Sequence, residues 1–191
     1  LGDVVRHRGQ TRSRSARGSK ARAKLASSTR AAGKIGNFMA DTTPFDIPAA
    51  HKYFSAENFN KTWELIEKNE RTDEENLAML HTAIASLWHW SQREDVSAKK
   101  LSVGYWQVSR VCNFIKQPDL ARIYGLQSLK YAASLDPFYK AYAYETLARA
   151  EMQSDNRVIM LEYLNKARHL AQQVTDDEDK QLLLRDLESI K

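Results

Sequence analysis

The chain has 191 residues, which suits one domain plus a tail. Its 7 glycines and 4 prolines are too few for a protein built from many strands and tight turns. The single cysteine, Cys112, excludes an internal disulfide and a zinc site built on cysteines, and it fits the reducing cytoplasm. The sequence contains no run of about 18 apolar residues, the length that a membrane-spanning helix needs.

Residues 1–38 carry most of the positive charge. They hold ten Lys and Arg against one Asp, a net charge of +9, whereas the following 19 basic and 23 acidic residues give −4. The segment is rich in Arg, Ser, Ala and Gly and poor in large apolar side chains. It cannot bury enough surface to offset the entropy of ordering, so we expect it to be disordered.

Three interpretations of this basic tail stay open. Clustered Arg would neutralise the phosphates of a nucleic acid or an anionic membrane. A segment rich in Arg and Ser and almost free of acids is also typical of a targeting peptide. The third interpretation, favoured by the abrupt change of composition at Met39, is that residues 1–38 do not belong to the native protein. Binding to nucleic acid is expected only if they do.

The lead-in and the helices follow the tail. Residues 39–55 are predicted to be extended, because Pro44 and Pro48 bracket a short segment and a residue before proline disfavours helix. From residue 56 helical spacing dominates, and Thr72 with Glu75 forms a capping-box pattern. The predicted helices span about residues 56–68, 72–93, 97–115, 118–135, 137–153, 156–174 and 176–190.

These elements predict an all-α domain over residues 56–191. The connections are only a few residues long, and short connections place consecutive helices antiparallel. We therefore expect about seven helices, arranged as stacked antiparallel hairpins. The acidic residues 176–179 are interpreted as the first turn of the last helix, which is expected to cap the array.

An internal repeat with an offset of 39 residues relates two of the predicted hairpins. Residues 104–111 align with residues 143–150, so that aromatic and small residues recur in register, although Trp106 falls over Glu145. Small residues in the middle of a helix let a partner helix approach closely. The aligned pairs are Tyr105 with Tyr144, Ser109 with Ala148, Tyr124 with Tyr163, Ser128 with Ala167 and Ala132 with Ala171.

In this pattern the chain resembles the tetratricopeptide repeat family, best over residues 98–175. The resemblance implies a short right-handed array whose first helices line a concave binding surface. The period is 39 rather than the family's 34, and the usual turn glycine is replaced by Lys116 or Asp155. Residues 56–93 are interpreted as a degenerate earlier pair. The stretch of residues 80–90 is similar to bacterial proteins of this general type and implies no function.

The most unusual cluster in the sequence is formed by His81, Trp88, His89 and Trp90. One interpretation makes them a ligand groove of amphipathic contacts. The favoured alternative places Trp88 in the core, with His81 making one hydrogen bond. A metal site is disfavoured, because two histidines alone do not fill a coordination shell.

A second candidate groove lies on the first helices of the two repeats. The family resemblance implies that Trp106, Arg110, Arg149 and Tyr142 face the concave surface. The Arg side chains could hold a carboxylate of a peptide while the aromatic rings supply contact area. The alternative is that both Arg are solvated, and Tyr105 and Tyr144 are interpreted as packing residues.

The sequence favours a binding scaffold over an enzyme. It lacks a Gly-rich phosphate loop, metal-ligand spacing and a serine elbow, so no cofactor or metal is expected. The expected partner is a short peptide or a single helix of another protein. Two alternatives remain, a small-molecule or metal-dependent helical enzyme using His81 and His89, and nucleic-acid binding through the tail. The sequence does not indicate an oligomeric state.

Overall fold

The computed structural model describes residues 45–191, and the predictions for the tail lie outside these residues. Residues 47–191 form one compact unit. Within it the structure has seven helices and no strand, which confirms the predicted all-α class. The helices are α1 (Ile47–Ile66), α2 (Asp73–Ser91), α3 (Ala98–Phe114), α4 (Pro118–Ala132), α5 (Pro137–Gln153), α6 (Arg157–Ala171) and α7 (Asp177–Glu188).

The extended lead-in predicted through residue 55 is wrong from Ile47 onward, where α1 begins. Pro48 lies in the first turn of this helix, where a missing N–H leaves no hydrogen bond unmade. The added turns are tied to α2, because Ser86 Oγ donates a hydrogen bond of 2.8 Å to the Ser55 carbonyl. Arg93 also donates to the fully buried Ser55 hydroxyl at 2.9 Å.

The helix starts follow the predicted capping chemistry. Thr72 caps α2 in a complete capping box: its hydroxyl accepts from the Glu75 N–H at 3.2 Å, and the Glu75 carboxylate accepts from the Thr72 N–H at 3.0 Å. Proline occupies the first turn of α4 and of α5. Asp176 caps α7, which confirms that the acidic run opens the last helix. Such caps satisfy N–H groups that have no partner within the helix.

Consecutive helices pair as three hairpins, α1–α2, α3–α4 and α5–α6, and α7 packs on the last of them. The first helices α3 and α5 also contact each other, as do α2 with α3 and α4 with α5. Leu183 and Leu187 of α7, and Ile190 just after it, are buried against the rest of the domain, as the sequence predicts for a capping helix.

The 39-residue repeat is visible in side-chain geometry. The rings of Tyr105 and Tyr124 lie 6.2 Å apart at 34°, and those of Tyr144 and Tyr163 lie 5.9 Å apart at 31°. Both pairs join the first helix of a hairpin to the second. This confirms that Tyr105 and Tyr144 are packing residues.

The two equivalent turns also share one backbone conformation. Lys116 and Asp155, 39 residues apart, both adopt positive φ values, of 56° and 55°. In each turn the next residue donates its N–H back to the helix, from Gln117 to the Cys112 carbonyl at 2.8 Å and from Asn156 to the Glu151 carbonyl at 3.0 Å. This is the Schellman arrangement, which glycine usually completes.

The buried face of α2 differs from the predicted one. The apolar spacing predicts a face with Leu77, Leu80, Ile84, Leu87 and Trp88, but of these only Leu87 is buried, and Trp88 is exposed by 54%. The buried residues are Met79, Ala83, Ser86 and Leu87. On this face Ser86 bonds to Ser55 of α1 and Leu87 lies against Gly104 of α3, and the stripe with Ile84 and Trp88 is left exposed.

Candidate functional site

A concave cavity of about 330 Å³ opens along the first helices of the hairpins. Helices α1, α3, α5 and α7 all contribute to its wall. Three of the residues predicted for a partner groove, Trp106, Arg110 and Tyr142, line it. The full lining is Phe59, Trp63, Ser102, Val103, Trp106, Arg110, Phe138, Tyr139, Tyr142, Leu182 and Asp186. We call this the aromatic cavity.

Aromatic rings form a continuous wall from α1 to α5. The Trp63 and Trp106 ring centroids are 5.9 Å apart, and Trp106 meets Tyr142 edge to face at 5.2 Å. Phe138 in turn meets Tyr142 edge to face at 4.9 Å. Contacts of this geometry are favourable and hold the rings in fixed orientations. The cavity therefore offers a preformed apolar surface for a side chain of similar size.

One end of the aromatic cavity is charged. Glu145 is fully buried, and its carboxylate accepts from Arg149 Nε and, at 3.4 Å, from Arg110 Nη1. Trp106 Nε1 lies 3.5 Å from the same carboxylate, a long hydrogen bond. Asp186 Oδ1 lies 3.7 Å from Arg110 Nη2. The positive charges of the two guanidinium groups therefore cancel the negative charges of the two carboxylates.

This pairing changes the predicted role of the Arg side chains. We expected Arg110 and Arg149 either to hold a ligand carboxylate or to be solvated. Instead both are largely buried and bonded to the chain's own acid, and Arg149 also donates to the Asp186 carbonyl at 2.9 Å. The charge that would attract an anionic ligand is already neutralised.

Tyr142 joins the aromatic wall to the charged end. Its hydroxyl donates to Asp186 Oδ2 at 3.1 Å, which connects α5 with α7. Burial is the main cause that raises the pKa of this phenol far above its usual value, and the neighbouring Asp186 raises it further. The hydroxyl therefore stays a hydrogen-bond donor at any physiological pH.

A second, more polar cavity of about 270 Å³ shares Arg110 and Asp186 with the first. It continues the concave surface toward the C-terminal ends of α3 and α5. Its other lining residues are Asn113, Phe114, Arg149, Met152, Gln153 and Ser189. We call this the polar cavity.

Two residues that line the polar cavity each have a buried atom, closed to solvent, that forms no hydrogen bond within residues 45–191: Arg110 Nε and Gln153 Oε1. The Gln153 amide is oriented by its nitrogen, which donates to the Asn113 carbonyl at 2.8 Å and contacts the Asn113 side-chain oxygen at 3.3 Å. The unpaired donor and the unpaired acceptor therefore belong to side chains whose other atoms are held in place.

The histidine cluster lies on α2 and does not line either cavity. His81 is exposed, and the favoured prediction that Trp88 lies in the core is wrong. His89 instead pairs with His51 of α1, with 2.9 Å between their Nδ1 atoms. Burial and the neighbouring His51 lower the pKa of His89. Among the described residues no group of three potential metal ligands exists.

Cys112 does not take part in either cavity. It is fully buried in the core between the hairpins. Burial raises the pKa of its thiol to about 11, so it is protonated at neutral pH and is a poor nucleophile.

Sequence reasoning missed the contributions of α1 and α7 to the cavity. Phe59 and Trp63 are helically spaced, but spacing alone does not show that their face meets Trp106. Leu182 and Asp186 lie on a helix predicted only as a cap. Glu145 was visible as a departure from the repeat, because it stands where Trp106 stands one repeat earlier.

Fold and site together define an all-α array of helical hairpins with an aromatic concave cavity. No protein-family model, curated protein or solved structure matches the chain. Within residues 45–191, none of the helices combines the length and the apolar composition that a membrane span requires.

Proposed function

We propose that this chain is a tetratricopeptide-like scaffold that binds a peptide segment of a partner protein. The aromatic cavity carries this proposal, since it is preformed, concave and lined by large apolar rings. Cavities of about 300–1,000 Å³ with few polar groups are typical of binding sites. A single cavity of this size suits one large apolar side chain as the anchor of a short segment, and the lone buried thiol fits a cytoplasmic setting.

The repeat geometry supports membership of the tetratricopeptide-like class. Its equivalent tyrosine pairs and equivalent left-handed turns are features of a stacked hairpin array. In such arrays partners bind the concave side, which is where the cavity lies. The rival enzyme using His81 and His89 gains no support, because His81 is exposed while His89 is paired with His51.

A variant that fills the aromatic cavity with a larger side chain tests the proposal. Val103 lines the aromatic cavity, so the larger ring of Val103→Phe would occupy space meant for the anchor. Val158 on α6 is 69% exposed and lines neither cavity, so Val158→Phe adds the same bulk as a control. Peptides are selected from a random displayed library on the wild-type protein and their affinities are measured by calorimetry on all three proteins.

We expect the selected peptides to share an aromatic or large aliphatic residue. Val103→Phe should weaken binding at least about tenfold, equivalent to about 1.4 kcal/mol, while Val158→Phe should bind like the wild type. Circular dichroism and urea unfolding confirm that each variant is folded. Peptides that bind Val103→Phe as tightly as the wild type, or a selection that enriches none, contradict the proposal.

A further inference from the structure

Among the described residues that line the aromatic cavity, Asp186 is the only acid. Its side chain is 25% exposed, unlike the neighbouring Glu145, which is fully buried. Solvent therefore reaches the Asp186 side chain while the cavity is empty, and a group bound beside it would replace that solvent. Aromatic rings supply most of the rest of the wall, so this acid decides which polar groups fit into the cavity.

The chain itself uses only part of the hydrogen-bonding capacity of the Asp186 carboxylate. An ionised carboxylate has about four lone-pair sites for donors. Within residues 45–191, Tyr142 takes one of these sites, since its hydroxyl donates to Oδ2 at 3.1 Å. The contact of Oδ1 with Arg110 Nη2, at 3.7 Å, is an ion pair that is longer than a hydrogen bond. Acceptor capacity is therefore left for solvent or for a ligand.

This spare acceptor capacity distinguishes between rings with and without a donor. A hydrocarbon ring beside Asp186 would remove solvent from the carboxylate and offer no hydrogen bond in return, which is unfavourable. A ring that carries an N–H or an O–H replaces the lost water with a charge-assisted hydrogen bond. The side chains of Trp and Tyr are of this kind, because each combines an apolar ring with a donor.

The charges around Asp186 disfavour a cationic group as the donor. Arg110 lies 3.7 Å from its carboxylate, and Arg149 donates to its carbonyl oxygen at 2.9 Å. A ligand ammonium or guanidinium at Asp186 would therefore lie close to two positive charges, which would repel it. A neutral N–H or O–H supplies the hydrogen bond without this repulsion.

Resting on the proposed function, we infer that Asp186 selects an anchor whose ring carries a neutral hydrogen-bond donor. The anchor is the side chain of a Trp or Tyr residue in the partner segment. Its ring packs among the aromatic side chains of the cavity, and its indole N–H or phenol O–H donates to the Asp186 carboxylate. Phe and the aliphatic side chains bind less favourably, because they leave this acceptor without a partner.

Two matched pairs of small probes test the inference in NMR titrations of the full chain. N-acetyl-L-tryptophanamide is compared with its 3-benzothienylalanine analogue, in which sulfur replaces the indole N–H in a ring of nearly the same shape. N-acetyl-L-tyrosinamide is compared with N-acetyl-L-phenylalaninamide, which lacks only the hydroxyl. We expect each probe with a donor to bind about tenfold tighter than its counterpart, equivalent to about 1.4 kcal/mol. The 4-(aminomethyl)phenylalanine analogue is positively charged and should bind more weakly than the Tyr probe.

Asp186→Asn identifies the acceptor, because it keeps the size of the side chain and removes its charge. The Trp probe should bind this variant several-fold more weakly than wild type. The benzothienyl probe should bind it at least as tightly as wild type, since no charge is then covered. A displaced α7 would instead weaken both probes together. Glu188→Gln removes one charge from an exposed position of the same helix and should leave both affinities unchanged.

The outcomes separate this inference from the proposed function. The inference is wrong if the members of each pair bind wild type equally, or if the cationic probe binds more tightly than the Tyr probe. It is also wrong if Asp186→Asn preserves the preference for the Trp probe or weakens both probes alike. In each of these cases, a loss of binding in Val103→Phe still supports the aromatic cavity as the anchor site. If no probe binds at millimolar concentration, or Val103→Phe binds all of them unchanged, the proposed function fails and this inference fails with it.

Discussion

The α3–α4 and α5–α6 hairpins share a 39-residue register, and their equivalent positions fall into two groups. The tyrosine pairs between their helices and the left-handed residues in their turns recur with nearly the same geometry. Other equivalent positions hold different side chains. These are Trp106 and Glu145, Gly125 and Leu164, Ser102 and Ala141, and Ser128 and Ala167.

Among the differing positions, the pair Trp106 and Glu145 changes the concave surface, whereas the other three pairs change the packing between helices. The recurring residues pack the two helices of each hairpin together, so the same contacts occur in both hairpins. Trp106 and Glu145 instead lie on the adjacent first helices and meet each other, which places an aromatic ring against a buried acid. A perfect repeat would have put like groups side by side. The departure from the repeat is what makes the concave surface chemically uneven.

Removing the acid of this unlike pair is expected to have the largest effect. Glu145→Ala leaves Arg110 and Arg149 largely buried without their shared partner, and breaking a buried ion pair costs about 3–5 kcal/mol. Urea unfolding measures the loss. Glu162→Ala, an exposed acid on α6, is the matched control and should change stability by less than about 0.5 kcal/mol. A loss below about 1 kcal/mol for Glu145→Ala would show that the two Arg find other partners.

The two helical glycines of the second hairpin should respond differently to Ala. At Gly125 a new Cβ would lie 2.8 Å from Leu147 Cδ2 and 3.0 Å from its Cγ, so overpacking of about 1–3 kcal/mol outweighs a helix-propensity gain of about 1 kcal/mol. At Gly104 the nearest atom is the flexible end of Leu87, at 3.0 Å, and the change should be neutral or stabilising. Thermal unfolding compares them, and equal effects would contradict this reading of the close approach.

The two equivalent turns should be stabilised by glycine, the residue that their left-handed backbone conformation prefers. Lys116→Gly relieves a left-handed conformation that costs a non-glycine residue about 1–2 kcal/mol, partly offset by the greater freedom of glycine in the unfolded chain. We expect a net gain of about 0.5–1 kcal/mol. Asp155→Gly should gain less, because Asp tolerates this conformation better than Lys. Gln117→Gly, at a negative φ, is the control and should not stabilise.

Much of the fold follows from the sequence because its signals are local. The Thr72 capping box, the prolines in the first turns of α4 and α5 and the 39-residue register each depend on a few neighbouring residues. The start of α1 was missed because Pro48 reads equally well as a break or as a first turn. Tertiary bonds at Ser55 decide between the two.

The site could be predicted only in part. The register placed Trp106, Arg110 and Tyr142 on first helices, and the structure brings them together. It could not show that Arg110 would be bound by Glu145 and Asp186, because those contacts join three helices. Trp88 was misplaced for a related reason: the contacts of Ser86 with α1 and of Leu87 with α3 are tertiary, and they fix which side of α2 is buried.

The smallest effect is expected when two buried serines of the second hairpin are replaced by alanine, the residue at the equivalent positions of the third. Ser102 and Ser128 exchange hydrogen bonds across the α3–α4 contact, at 3.2 Å and 2.9 Å to each other's carbonyl groups. The equivalent alanines, Ala141 and Ala167, are fully buried. Replacing both serines by Ala removes both hydroxyls together and improves helix propensity, so the double variant should change stability by less than about 1 kcal/mol in urea unfolding.

The reverse exchange, Ala141→Ser with Ala167→Ser, tests whether the two contacts are interchangeable. If the helices in both hairpins are equally spaced, the two new hydroxyls can form the same reciprocal bonds, and the double variant should lose less than the two single variants together. If it loses as much as their sum, the hydroxyls are buried without partners, at about 1–3 kcal/mol each. The third hairpin would then be packed too tightly for serine, and the shared register would hide a difference in helix spacing.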